Sequence, residues 1–153
     1  MKDYPKVLVV SNNAFSKTGS NGRTLGNLFT NWDSGKIAQF YIYNEEPLHC
    51  KCENYYRITD KNMIKSIFTR KSGEKVINCD DIKKSNLNTK KVKNKTPLKY
   101  LMRELVWLIG KWNTFQFNDW LESFNPDAVL LQAGDTPFMY KITRYISYKF
   151  NIP

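Results

Sequence analysis

Residues 6–32, KVLVVSNNAFSKTGSNGRTLGNLFTNW, constrain this chain more than any other stretch. Val7, Leu8, Val9 and Val10 form an apolar block with no alternation, the pattern of a strand buried on both faces of a parallel sheet. Such a strand needs helices above and below it. Leu25, Leu28, Phe29 and Trp32 then recur at helical spacing, so the segment after Gly22 is expected to lay one apolar stripe on that sheet. Ser20 and Asn21 are the candidate N-caps. A strand handing over to a helix through a glycine-containing loop leaves backbone N–H groups at the helix start, and these attract phosphate. Gly19, Ser20, Asn21, Gly22, Arg23 and Thr24 therefore form a candidate anion loop, in which a bare Gly22 is expected to let phosphate approach the backbone. The spacing of Gly19, Gly22 and Gly26 fits neither the dinucleotide fingerprint nor the P-loop. A plain surface turn is the competing reading.

One domain is expected from 153 residues that are 41% hydrophobic. No apolar run approaches the roughly 18 residues of a membrane span, and the start MKDYPKVLVV is no secretory signal. Three cysteines, Cys50, Cys52 and Cys79, suit a reducing compartment, and a cytoplasmic protein is expected. His49 with the three cysteines lacks a C-x-x-C knuckle, so no metal site is expected. The net charge of +10 is concentrated: Lys83, Lys84, Lys90, Lys91, Lys93, Lys95, Lys99 and Arg103 carry +8 of it with no intervening acid. That run contains no aromatic residue from 83 to 99, which argues against single-stranded nucleic acid and leaves an anionic membrane surface as the candidate partner.

Along the chain, residues 36–43 read as a second buried strand and 55–58 as a third. Thr59 or Asp60 is expected to cap a helix with Met63, Ile64, Ile67 and Phe68 inward. Residues 71–96 turn polar and lysine-rich and are expected to be a basic, mobile insertion outside the sheet. Pro97 opens a helix with a long stripe from Leu98 to Trp112, followed by a shorter helix bearing Phe117, Trp120, Leu121 and Phe124. Ala128 to Leu131 form another apolar strand, and Thr136–Pro137 start a last helix. Asn151, Ile152 and Pro153 are expected to enter a further strand, so the sequence reads as one half of something larger. Strands alternating with helices predict an α/β, Rossmann-like, doubly wound, mainly parallel sheet with helices on both faces and ligands beyond the carboxyl ends of the strands.

The phrases VLVVSNNAFSKTGSNGRTLGNLF, KIAQFYIYNEEP, NYYRITD and DAVLLQAGDTPFMYKITRYISYKFNIP resemble the amino-terminal half of GT-B fold glycosyltransferases of bacterial polysaccharide and lipopolysaccharide synthesis. The resemblance implies an enzyme that moves a sugar from a nucleoside diphosphate sugar to a saccharide or lipid-linked acceptor, in the cleft between two Rossmann-like domains. The loop from Gly19 to Thr24 matches the one that faces the donor diphosphate. The carboxy-terminal nucleotide domain has no counterpart in this sequence. The fragment alone is thus expected to be inactive. Its donor is a substrate, and no cofactor is implied.

Asp135, at the expected carboxyl end of a strand, is the candidate catalytic carboxylate, able to orient an acceptor hydroxyl or take its proton. Its alternative role is to support the start of the last helix. Glu45, Glu46, Gln132 and Gly134 follow strands and are candidates for the acceptor side. Glu45 and Glu46 read equally as solvated loop acids. A polyanion- or nucleic-acid-binding α/β module without catalysis remains the alternative for the whole chain. A dinucleotide-dependent oxidoreductase would need a cleaner glycine fingerprint.

Overall fold

A computed structural model describes residues 4–16, 20–47, 52–76, 96–132, 134 and 136–153. The elements run β1 (Val7–Ser11), α1 (Ser20–Leu28), a 3-10 turn (Ser34–Lys36), β2 (Ile37–Tyr41), β3 (Asn54–Arg57), α2 (Asp60–Thr69), β4 (Glu74–Val76), α3 (Pro97–Ile109), α4 (Phe115–Phe124), β5 (Ala128–Leu131) and α5 (Pro137–Phe150). Among the described residues these strands form one five-stranded sheet in the order β4-β3-β2-β1-β5. Only β4 is antiparallel, paired to β3 through Tyr55–Val76 and Arg57–Glu74.

The sheet is the one that the unalternating apolar runs require. β1 and β2 are buried at every position. Leu8, Val10, Ala38, Phe40, Tyr56 and Ile58 point to one face and meet Trp107, Phe117, Trp120, Phe138, Ile142 and Ile146 from α3, α4 and α5. Val7, Val9, Ile37, Tyr41 and Tyr55 point to the other and meet Leu25 and Phe29 of α1 with Phe15 and Cys52. Helices therefore cover both faces, and the fold is α/β and Rossmann-like, as the sequence predicts.

Local chemistry sets the boundaries. Thr59 caps α2 in a reciprocal capping box with Asn62, and Arg70 closes the helix in the left-handed region at φ 56°. Thr114 accepts from the Phe117 N–H at the start of α4. Asn125 and Asn151 end α4 and α5 in the same left-handed conformation. Pro97 and Pro137 occupy first-turn positions, where the missing N–H costs nothing.

Four expectations need correction. Leu28 is exposed, because α1 ends there and only Leu25 and Phe29 reach the core. Ile64, Ile67 and Phe68 are exposed, since α2 turns Met63 and Ser66 inward instead. Residues 74–76 belong to the sheet, although they fall within the stretch expected to be an insertion; Arg57 draws Glu74 onto the β3 edge at 2.7 Å. Residues 77–95 of that stretch lie outside the described residues. Finally, β5 is only half-buried; besides pairing with β1, it receives the Pro153 carbonyl at the Val129 N–H, 2.9 Å away.

Candidate functional site at the carboxyl edge

β1, β2, β3 and β5 are parallel, so the loops that follow them gather at one edge of the sheet. The order places β2 on one side of β1 and β5 on the other. Between β1 and β5 the chain changes direction, which is the switch point where open α/β sheets form a crevice.

Asn12, immediately after β1, joins three of these loops. Its carbonyl accepts from the N–H groups of Tyr43 (3.0 Å) and Ile42 (3.4 Å), beyond β2. Its side-chain Oδ1 accepts from the Thr136 hydroxyl at 3.2 Å, beyond β5. Gly134 lies so close that a Cβ there would be 3.0 Å from Asn12 Nδ2. Gln132 is anchored by its N–H to the Val10 carbonyl at 2.9 Å, and among the described residues its buried Oε1 accepts no hydrogen bond. The structure thus brings Gly134 and Thr136 to Asn12, a residue that sequence reasoning passed over, and holds Gln132 at the adjoining end of β1. Asp135 lies outside the described residues.

The loop after β1 is held from below. Gln39 is fully buried in β2; its Oε1 accepts from the Phe15 N–H at 2.8 Å, and its Nε2 donates to Ser11 Oγ at 2.8 Å and the Asn13 carbonyl at 3.0 Å. Glu45 Oε1 accepts from the Ala14 N–H at 2.6 Å. The Glu45 carbonyl accepts in turn from Tyr41 Oη and Arg57 Nη1, both at 3.1 Å. Arg57 pairs with Glu46 and with Glu74, each at 2.7 Å. Burial pushes the Tyr41 phenol well above its ordinary range, against the lowering pull of Arg57. Glu45 and Glu46 thus both hold loops, Glu45 from a partly buried position and Glu46 with its side chain 42% exposed.

At the start of α1, Asn21, Arg23 and Thr24 are exposed, and the first turn carries no acidic residue to neutralise the positive end of the helix dipole. Gly19 and the Ser20 side chain lie outside the described residues. Gly22 is buried, and the space beside it is filled: a Cβ there would fall 2.4 Å from the Ala14 carbonyl oxygen and 2.8 Å from the Ser16 nitrogen. Its bareness lets α1 approach its own preceding loop rather than a phosphate.

Arg103 completes the edge. Sequence reasoning counted it as one charge in the basic run, yet its side chain is 14% exposed and its Nε donates to Asp60 at 3.0 and 3.1 Å. The guanidinium lies 5.2 Å from the Phe138 ring centroid and 6.0 Å from that of Tyr43, and Asp60 also accepts from Trp107 Nε1 at 2.8 Å. Burial raises the neighbouring Glu104 carboxyl above its usual range, with Arg103 lowering it in part. The signal for this cluster was present only as spacing, since Asp60, Arg103 and Trp107 are brought together by helix pairing.

At the opposite, amino edge there is an open cavity of about 320 Å³ lined by Lys6, Glu53, Tyr55, Lys75 and Phe124. Its polar groups are largely engaged: Lys6 Nζ on the Phe124 carbonyl, Glu53 on Ser34 and Lys75 on Asp119. The carboxyl edge is the better candidate because it gathers the loops that carry exposed polar groups.

No protein family model, curated protein or solved structure matches this chain. Among the described residues, no helix is long and apolar enough to cross a membrane, and no three His, Cys, Asp or Glu side chains cluster as metal ligands. Cys52 is buried; His49, Cys50 and Cys79 lie outside the described residues.

Proposed function

We propose that the chain is the acceptor-side domain of a cytoplasmic glycosyltransferase that moves a sugar from a nucleoside diphosphate sugar to a saccharide or lipid-linked acceptor, together with a second, nucleotide-holding domain. The observation that carries this reading is the switch point between β1 and β5, where Asn12 ties together the ends of β1, β2 and β5, the place at which open α/β sheets bind ligands. Departure of a nucleoside diphosphate develops negative charge on phosphate oxygens. The dipole of α1 and the exposed Arg23 lie on the side of the sheet where that charge can be met without reorganisation, and removing one such donor typically costs about 3 kcal/mol in the barrier.

On the acceptor side, the Gln132 carbonyl oxygen, which has no hydrogen-bond partner among the described residues, is the proposed acceptor for a sugar hydroxyl, and Gly134 is the small residue that packs close against Asn12. Asp135 is the proposed group that takes the acceptor proton. Glu45 and Glu46 serve the scaffold in this mechanism.

The test is a titration of residues 1–153 with a panel of nucleotide sugars and free nucleoside diphosphates, followed by amide NMR shifts. Changes confined to residues 20–24 and 132–136, without acceptor-dependent release of nucleoside diphosphate, are expected. No response to any nucleotide, beside retention on heparin at physiological salt, would replace this reading with a polyanion-binding module.

A further inference from the structure

α3 is amphipathic in the opposite sense to an ordinary surface helix. Its inward side carries Trp107, stacked on Phe138 at 4.0 Å, together with Arg103 and the partly buried Glu104. Its outward side carries Leu98 (65% exposed), Leu101 (59%), Met102 (58%), Leu105 (46%), Leu108 (66%) and Ile109 (63%). α2 packs beside it through Asp60–Arg103 and through the Lys111 N–H on Ser66 Oγ at 2.9 Å, and adds exposed Ile64 and Phe68. Single exposed leucines need no explanation, but an apolar row along the full length of a helix, about 20 Å, does.

The charges around this row are of one sign. Lys61, Lys65, Arg70, Lys71, Lys99 and Lys111 are exposed, and none forms an ion pair among the described residues. Of the acids on the two helices, Asp60 holds Arg103 and Trp107, and Glu104 bonds the Phe138 backbone. A symmetric pairing with a second copy would set these six cations against their own images, which opposes association. A nucleic acid would satisfy the cations and leave the leucine row in water.

We propose that the α2–α3 face docks in the plane of an anionic lipid surface, with the apolar row in the acyl boundary and the cations at the headgroup phosphates. This rests on exposure and charge alone and is independent of the glycosyl-transfer reading: nucleotide titration and vesicle binding succeed or fail separately.

The experiment is co-sedimentation of residues 1–153 with phosphatidylcholine vesicles containing or lacking phosphatidylglycerol, with oligomeric state followed by light scattering. Binding is expected only to the anionic vesicles, and to weaken with salt. Leu101→Gln with Leu105→Gln retains every lysine and is expected to reduce partitioning about tenfold. Lys61→Gln with Lys65→Gln is expected to reduce it by a similar factor, about tenfold, with the apolar row intact. All four positions are exposed, so unchanged thermal melts are expected to accompany both losses. Equal binding to neutral vesicles, no binding to anionic ones, or full binding by the Leu101/Leu105 variant would overturn the proposal. So would a dimer that this variant dissolves, because the face would then belong to a second copy.

Discussion

Gly22 and Ala14 are in backbone contact: a Cβ on Gly22 would lie 2.4 Å from the Ala14 carbonyl oxygen. Neither partner can yield easily, because Ala14 is also tied by its N–H to Glu45 at 2.6 Å. Alanine is intrinsically the better helix former by about 1 kcal/mol. Overpacking typically costs about 1–3 kcal/mol, so Gly22→Ala is expected to lower stability on balance, and Gly22→Val to lower it further. Urea denaturation measures this directly. A stabilised Gly22→Ala would mean that α1 does not rest on the loop.

Gln39 is the second anchor of that loop. Gln39→Leu keeps the volume but leaves the Phe15 N–H without its acceptor in the core, at a cost of about 1–3 kcal/mol. Faster amide exchange at Phe15 is expected along with the lower unfolding midpoint. Unchanged exchange there would show that the amide, Ser11 and Asn13 hold the loop by some other route.

The buried strands were legible because a double-faced parallel sheet leaves an unalternating apolar run, as in VLVV. The inward residues of α4 and α5 were legible from helical spacing. What spacing could not reveal is which side of an apolar helix faces the protein. Leu98, Leu101 and Leu105 satisfy the inward pattern, yet the Asp60–Arg103 pair and the Trp107–Phe138 stack fix the opposite rotation. Leu28 misled for a different reason: the helix ends at that residue. At the candidate site, glycines and acids drew the eye, whereas the joining residue is Asn12, one polar residue among several in a loop. Its importance comes from contacts more than 100 positions away, with Thr136, that no local pattern encodes.

Cys52 should resist both alkylation and alkali until the fold opens. Its thiol donates to the Ile37 carbonyl at 3.3 Å, and burial pushes its pKa up to about 12, with hydrogen bonding from its neighbours lowering it in part. In the unfolded chain the thiol ionises near its ordinary value of 9.0. The unfolded state therefore loses the proton first as pH rises. Stability from this group is fully present below pH 9.0 and is lost between there and about 12, by up to about 1.4 kcal/mol per pH unit. Cys52→Ala is expected to flatten the alkaline limb of a stability profile. Peptide mapping after iodoacetamide at neutral pH should find Cys52 unmodified in the native chain, and prompt labelling would contradict its burial.

Asn12 gives the sharpest test of the crevice, because its two functions can be separated. The backbone carbonyl that receives Ile42 and Tyr43 survives any substitution, while the side chain alone reaches Thr136. Asn12→Ala should therefore cost only about 0.5–1.5 kcal/mol of stability, the usual worth of one hydrogen bond. Its effect on nucleotide-sugar binding is expected to be larger, about tenfold, because the chain beyond Gln132, which Val10 still anchors, loses the tie that holds Thr136 to the end of β1. Thr136→Val removes the same bond from the other side. If the bond is what matters, the double variant should be no worse than either single one in both stability and affinity, with a coupling energy close to the full effect. Additive losses would mean that Asn12 and Thr136 contact the ligand separately. Wild-type affinity in both single variants would move the binding site away from the switch point altogether.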